Sequence, residues 1–134
     1  MNIAEIDGIA RADVASLERA GIRTTEALLE RGATSAGRAE IAGTTGIDAG
    51  KVLQWVNHVD LMRIPGVGSE YSDLLEAAGV DSPAELAQRN ATNLAETFQE
   101  LDAARPNTVR RVPSLATVEE WITIAKGMDK TVSH

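Results

Sequence analysis

The chain has 134 residues, room for one domain or two very small ones, which excludes a multidomain enzyme. Thirteen Lys and Arg stand against 20 Asp and Glu, and the formal net charge of −7 has the wrong sign for a generic nucleic-acid coat protein. With 43% hydrophobic residues and no cysteine, the chain is expected to fold, without disulfides, a thiolate metal site or a cysteine nucleophile.

Taken in order, apolar periodicity and cap residues predict helices over residues 11–20, 25–31 and 35–43, each followed by a glycine or a polar break. Asp48 caps the next, which runs to Leu61 with Val52, Trp55, Val56 and Val59 on one face. Further helices are predicted over 69–78, 83–89, 93–103 and 115–126. Ser82-Pro83-Ala84-Glu85 has the form of a capping box with proline at the first helical position, and Thr117-Val118-Glu119-Glu120 has the same Thr-x-x-Glu form. No stretch alternates with period two, so the fold class is all-α. Residues 129–134 are polar and read as a flexible tail. No basic segment leads an apolar one at the N-terminus, and no apolar run approaches the roughly 20 residues that span a bilayer. A cytoplasmic protein making no membrane contact is expected.

An internal repeat organises the chain. At an offset of 58, Ile6-Asp7-Gly8-Ile9-Ala10 and Leu17-Glu18-Arg19-Ala20-Gly21-Ile22 align with Ile64-Pro65-Gly66-Val67-Gly68 and Leu75-Glu76-Ala77-Ala78-Gly79-Val80. Eight identities fall between positions 6 and 31, and farther along the offset becomes 66, pairing Val52 with Val118 and Trp55 with Trp121. The eight-residue difference is an insertion in the second half, placed near Arg105 to Pro113 as a surface loop. The units are therefore 1–60 and 61–128, followed by the tail.

The segment Leu61 to Val80 resembles the helix-hairpin-helix motif. A helix ends, Gly66 and Gly68 allow backbone conformations that a β-carbon penalises, Val67 points inward, and a second helix starts at Ser69. The first copy, Ile3 to Ile22, is degenerate: it keeps Gly8 and Ile9 but carries Ala10 where the second glycine belongs. Its Ala20-Gly21-Ile22-Arg23-Thr24 and Leu28-Leu29 run is also similar to the C-terminal domain of the RNA polymerase α subunit. As a whole the chain looks like a bacterial family of uncharacterised tandem helix-hairpin-helix proteins, through Thr45-Gly46-Ile47, Trp55-Val56-Asn57, Gly66-Val67-Gly68, Ala78-Gly79-Val80 and Arg110-Arg111-Val112-Pro113.

The resemblance implies that hairpin backbone N–H groups, here of Gly66, Gly68, Ser69 and Glu70, can face phosphate oxygens. It also implies that a monovalent cation can sit on hairpin carbonyls. Between Asp60 and Val80, however, only Arg63 is basic while Asp60, Glu70, Asp73 and Glu76 are acidic, so phosphate would meet a negative face. In the first copy Arg11 follows the hairpin with Asp7 and Asp13 beside it. Arg105, Arg110 and Arg111 are the one basic concentration and a candidate anion contact; the plainer reading pairs them with Glu96, Glu100, Asp102 or Glu119 to pin the loop.

Trp55 and Trp121 occupy equivalent positions and read as core anchors. His58 reads as structural or solvent-facing, and Tyr71 as a partly exposed aromatic beside the hairpin. No carboxylate pair has a spacing that selects it as a general acid and base. The expected function is a non-enzymatic protein-interaction or scaffold module without a resident cofactor. The alternative is sequence-independent DNA-backbone binding through Gly66-Val67-Gly68; an enzyme acting on DNA ends ranks last.

Overall fold

Eight α-helices account for most of the computed structural model, which describes residues 1–6, 8–106 and 109–134. They are α1 (Arg11–Arg19), α2 (Thr25–Arg31), α3 (Ser35–Thr45), α4 (Ala49–Leu61), α5 (Ser69–Ala77), α6 (Pro83–Ala87), α7 (Ala91–Ala104) and α8 (Leu115–Lys126). A 3-10 turn, Ile3–Glu5, precedes them, and no strand occurs among the described residues. The protein is all-α. Asp7, which the sequence placed beside the first hairpin, and Asn107 and Thr108 of the inserted loop lie outside the described residues.

Local chemistry starts the helices. Thr24, Thr34, Ser82, Asn90 and Ser114 each accept a hydrogen bond from the backbone N–H three positions on, which relieves one unpaired donor of the first turn. Asp48 accepts from Gly50 N–H at 3.1 Å. Two capping expectations need correction. Ser82 accepts from Glu85 N–H at 3.2 Å, but the Glu85 carboxylate reaches back to Asp81 N–H rather than to that of Ser82. At α8 the cap is Ser114, with Thr117 already inside the helix and donating its N–H to Ser114 Oγ at 3.2 Å.

Packing divides the chain into two units, Met1–Asp60 with Thr131–His134, and Leu61–Lys130. In the first, α1 packs on α3 and the 3-10 turn, and α2 packs on α3. Its core holds Ile3, Leu17, Ile22, Leu28, Ile41, Val52, Trp55 and Val56. In the second, α8 packs on α6 and α7, around Leu61, Ile64, Leu75, Leu86, Leu94, Phe98 and Trp121. Both tryptophans are core residues, Trp55 6% and Trp121 2% exposed. His58 is buried as well.

The same backbone frame occurs in both units, 58 positions apart. Ile6 N–H donates to Ile3 C=O and Ile9 N–H to Ile6 C=O; Ile64 donates to Leu61 and Val67 to Ile64. At the ends of α1 and α5, Gly21 N–H donates to Glu18 C=O and Ile22 N–H to Leu17 C=O, while Gly79 donates to Glu76 and Val80 to Leu75. This is the Schellman closure, and it needs a left-handed residue, supplied by Gly21 at φ 85° and Gly79 at φ 86°. An arginine seals each end: Arg31 donates to Ala20 C=O at 2.7 Å, and Arg89 to Gly79 C=O at 3.1 Å.

The tail, expected to be flexible, is part of the first unit. Val132 is 1% exposed within its core, and Ser133 N–H donates to Ala33 C=O at 2.8 Å. A single β-branched side chain among polar neighbours is too short a signal to read as core from sequence.

Candidate interaction site

The hairpin of the second unit is built from the end of α4 to the start of α5. Val67 is 4% exposed and pins the turn inward, and Ile9 at the matching position of the first unit is also buried. Val67 thus points inward as expected, and any contact at either position is through the backbone. Gly66, Gly68 and Gly8 are exposed, and Ser69 is half-buried as the first residue of α5.

The two hairpin glycines differ. Gly66 has φ 90°, where a β-carbon is strained, and an added Cβ would also lie 3.4 Å from Trp121 Nε1. Gly68 is the α5 N-cap with φ −91°, an ordinary extended value, and an added Cβ would meet nothing within 4 Å. The fold therefore requires glycine at 66 and not at 68, against the expectation that both are conformationally required. Ala10, the first unit's counterpart of Gly68, caps α1 at φ −65° without strain, so it does not impair that hairpin.

Contacts about 40 residues apart in sequence tie the inserted loop to this hairpin. The Glu70 carboxylate accepts from Arg110 N–H, and Tyr71 Oη donates to Arg111 C=O at 2.8 Å. Tyr71 is half-buried, its ring tilted 57° against Trp121 with centroids 5.3 Å apart. Trp121, Tyr71, the Gly66 turn and the loop thus form one connected assembly. Its anchors are Glu70 and Tyr71, in the first turn of α5.

Arg110 and Arg111 are exposed, and no carboxylate among the described residues pairs with either guanidinium. The expectation that acidic side chains on α7 or α8 pin these arginines is corrected: their backbones are held, and their side chains reach solvent. Two cationic side chains thereby emerge from backbone beside the start of α5, next to a Glu70 carboxylate already engaged by an N–H group. The negative face inferred from residues 60–80 alone is offset by a loop far away in sequence.

Arg105 lies earlier in the chain, at the end of α7. It caps the end of α7 and lines a cavity of about 300 Å³ with Asp73, Leu74, Leu101, Asp102 and Val109. A second concavity of about 280 Å³ runs along α7 and the approach to α8, lined by Thr92, Ala95, Glu96, Gln99, Pro113, Ser114 and Leu115. Leu115, at 43% exposed, is one of the few large apolar side chains on the surface of the described residues.

Comparison with known families places residues 7–128 in the family described as a domain of unknown function, DUF4332. The chain belongs to the DUF4332 family. Neither a curated protein nor a solved structure matches it. The DUF4332 region takes in all eight helices, both hairpin turns from residue 7 onward and the inserted loop, and it stops before Thr131–His134. No helix among its described residues is long and apolar enough to cross a membrane.

Neither the Glu70 and Tyr71 anchors nor the Leu115 concavity is evident from sequence. Each depends on residues brought together over 15 to 40 positions, and the residue types involved are ordinary at helix starts.

Proposed function

We propose that the chain is a non-enzymatic protein-interaction module made of two helix-hairpin-helix units. The observation that carries it is the concavity along α7, where exposed Leu115 stands with Pro113 and Ala95 among the polar side chains Thr92, Gln99 and Ser114 and the Glu96 carboxylate. An exposed leucine in an apolar hollow with a polar margin is the composition of a protein contact, and a net charge of −7 discourages nonspecific nucleic-acid binding. The duplicated build is supported by the hairpin bonds and Schellman closures that recur 58 positions apart, and by Arg31 and Arg89, also 58 apart, which each bond a carbonyl at the end of the preceding helix. The test is a photo-crosslinking residue at Gln99, with Glu40 as the control position, in the native host cell. A discrete protein adduct at Gln99 that disappears with Leu115→Glu is expected. Recovery of nucleic acid without any protein adduct would overturn the proposal.

A second reading, sequence-independent DNA-backbone binding, is favoured by one observation, the tethering of the Arg110-Arg111 loop to the hairpin helix. Backbone N–H groups at the start of α5 and two unpaired guanidinium groups suit phosphate oxygens. Fluorescence anisotropy of labelled duplex and single-stranded DNA separates the two. DNA binding predicts affinity that falls steeply with salt and is lost with Arg110→Glu/Arg111→Glu and with Gly68→Glu, a position with room for a side chain. Absence of binding at low salt leaves the protein-interaction reading alone.

A further inference from the structure

We infer that the first unit contains a binding slot for an extended peptide, which the chain's own Thr131–His134 segment fills in cis. Its walls come from three places: Ala33 in the turn between α2 and α3, Arg38 on α3, and Asn57 on α4. Recognition of the backbone is explicit. Ser133 N–H donates to Ala33 C=O at 2.8 Å, and Ser133 C=O accepts from Arg38 Nη2 at 2.8 Å. Val132 supplies one apolar anchor, and the His134 ring lies 2.7 Å from Asn57 Oδ1 through Nε2. Main-chain bonds on one residue, a pocket for its neighbour and a polar contact at the end are how grooves read extended peptides.

Arg38 makes this a receptor rather than a simple closure of the core. It is 5% exposed, and its Nη1 donates to Gly32 C=O at 2.9 Å, inside the unit, while Nη2 is reserved for the incoming strand. A buried guanidinium deprived of an acceptor is costly, so an emptied slot selects a replacement with a carbonyl at the same place. The cis occupant is held by few hydrogen bonds and a single buried side chain, so little packing opposes its release. The slot therefore suits a partner's extended segment with a β-branched apolar residue followed by a small residue that keeps its N–H and C=O free. The inference is independent of the Leu115 concavity, which lies in the second unit.

The test uses the full chain and a fluorescein-labelled peptide of the sequence of residues 129–134. Val132→Asp expels the tail from the apolar pocket. That variant should bind the peptide saturably, at least about tenfold more tightly than the unaltered protein does, and Arg38→Met added to it should remove the binding. A peptide carrying Asp at the Val132 position should fail. Should Val132→Asp not fold, the unaltered core offers a second route: the chain has no cysteine, so Thr131→Cys accepts a single nitroxide. Its spectrum should be immobilised and should sharpen when excess peptide displaces the tail. A label that is mobile from the start, or a folded Val132→Asp protein that ignores the peptide, would overturn the inference. So would tail-swapped dimers that no peptide dissociates, because these assign the slot to a second copy.

Discussion

The two units share a backbone frame and differ in how each is closed. In the first, the opening beside α3 is shut by a segment from the far end of the chain, with a buried arginine as its hinge pin. In the second, the Arg110-Arg111 segment lies against the start of α5, held by Glu70 and Tyr71, and Tyr71 in turn packs on Trp121. Hairpin bonds and glycine caps are local and tolerate no variation in spacing, whereas closing an open side can be done by whichever piece of chain reaches it. The part common to both units is therefore the backbone frame, and the closures differ.

Core truncation gives the largest expected contrast. Trp121→Ala should cost about 3–5 kcal/mol in urea unfolding, since Trp121 is 2% exposed and packs in a tilted pair with Tyr71. Trp55→Ala, at 6% exposed and without an aromatic partner among the described residues, should fall at the lower end of that range. Equal losses would mean that the aromatic pair adds nothing to the second core.

The arginines sharpen the difference between closure and frame. Arg38→Ala removes two charge-assisted bonds from a buried site and should cost about 2–3 kcal/mol and mobilise residues 131–134 in hydrogen exchange. Arg31→Ala, with a single bond to Ala20 C=O, should cost about 1 kcal/mol and leave the tail protected.

Glycine substitutions probe the shared frame directly. Gly21→Ala and Gly79→Ala should each cost about 1–2 kcal/mol, by the same amount within error, because both sit at the same left-handed angle. Gly66→Ala should cost at least as much, while Gly68→Ala should change stability by less than about 0.5 kcal/mol. Thermal unfolding of the four variants side by side is sufficient, and a costly Gly68→Ala would refute the assignment of strain to Gly66 alone.

The smallest effect is in acid. Glu26 is held below its ordinary carboxylate range, first by a hydrogen bond from its own backbone N–H and then by the N-terminal ammonium, 3.1 Å away. A carboxylate whose folded-state pKa is depressed stabilises the fold above its unfolded value, and loses that contribution as pH falls through the folded one. Glu26→Gln should slightly lower the urea midpoint near neutrality and leave it unchanged once acid has protonated the carboxylate. The site is exposed, and a second-unit control, Glu85→Gln, calibrates what a surface carboxylate contributes.

Much of this molecule is legible from the chain. All eight predicted helices lie within two residues of their ends at both termini, because Thr24, Ser82 and Asp48 caps, Gly21 and Gly79 stops and three- to four-residue apolar spacing all act within one or two turns. α6 also ends two residues early, at Ala87, where Arg89 turns away to seal Gly79. Less legible was which glycine is obligatory: a Gly-x-Gly pair looks symmetrical in sequence, and only the dihedral angles and the indole of Trp121 distinguish 66 from 68.

By itself, then, the sequence determined an all-α chain, the helix limits, the burial of both tryptophans and the periodic placement of the glycine stops, since each is encoded by contacts between residues a few positions apart. Tertiary structure alone decided that Glu70 and Tyr71 hold the arginine loop, that Arg38 is buried, and that Val132 completes a core begun at Ile3. These contacts join segments 40 to about 130 positions apart. Their partners are chosen by which backbone groups and apolar openings remain unfilled once the local frame has formed, and no local pattern records that.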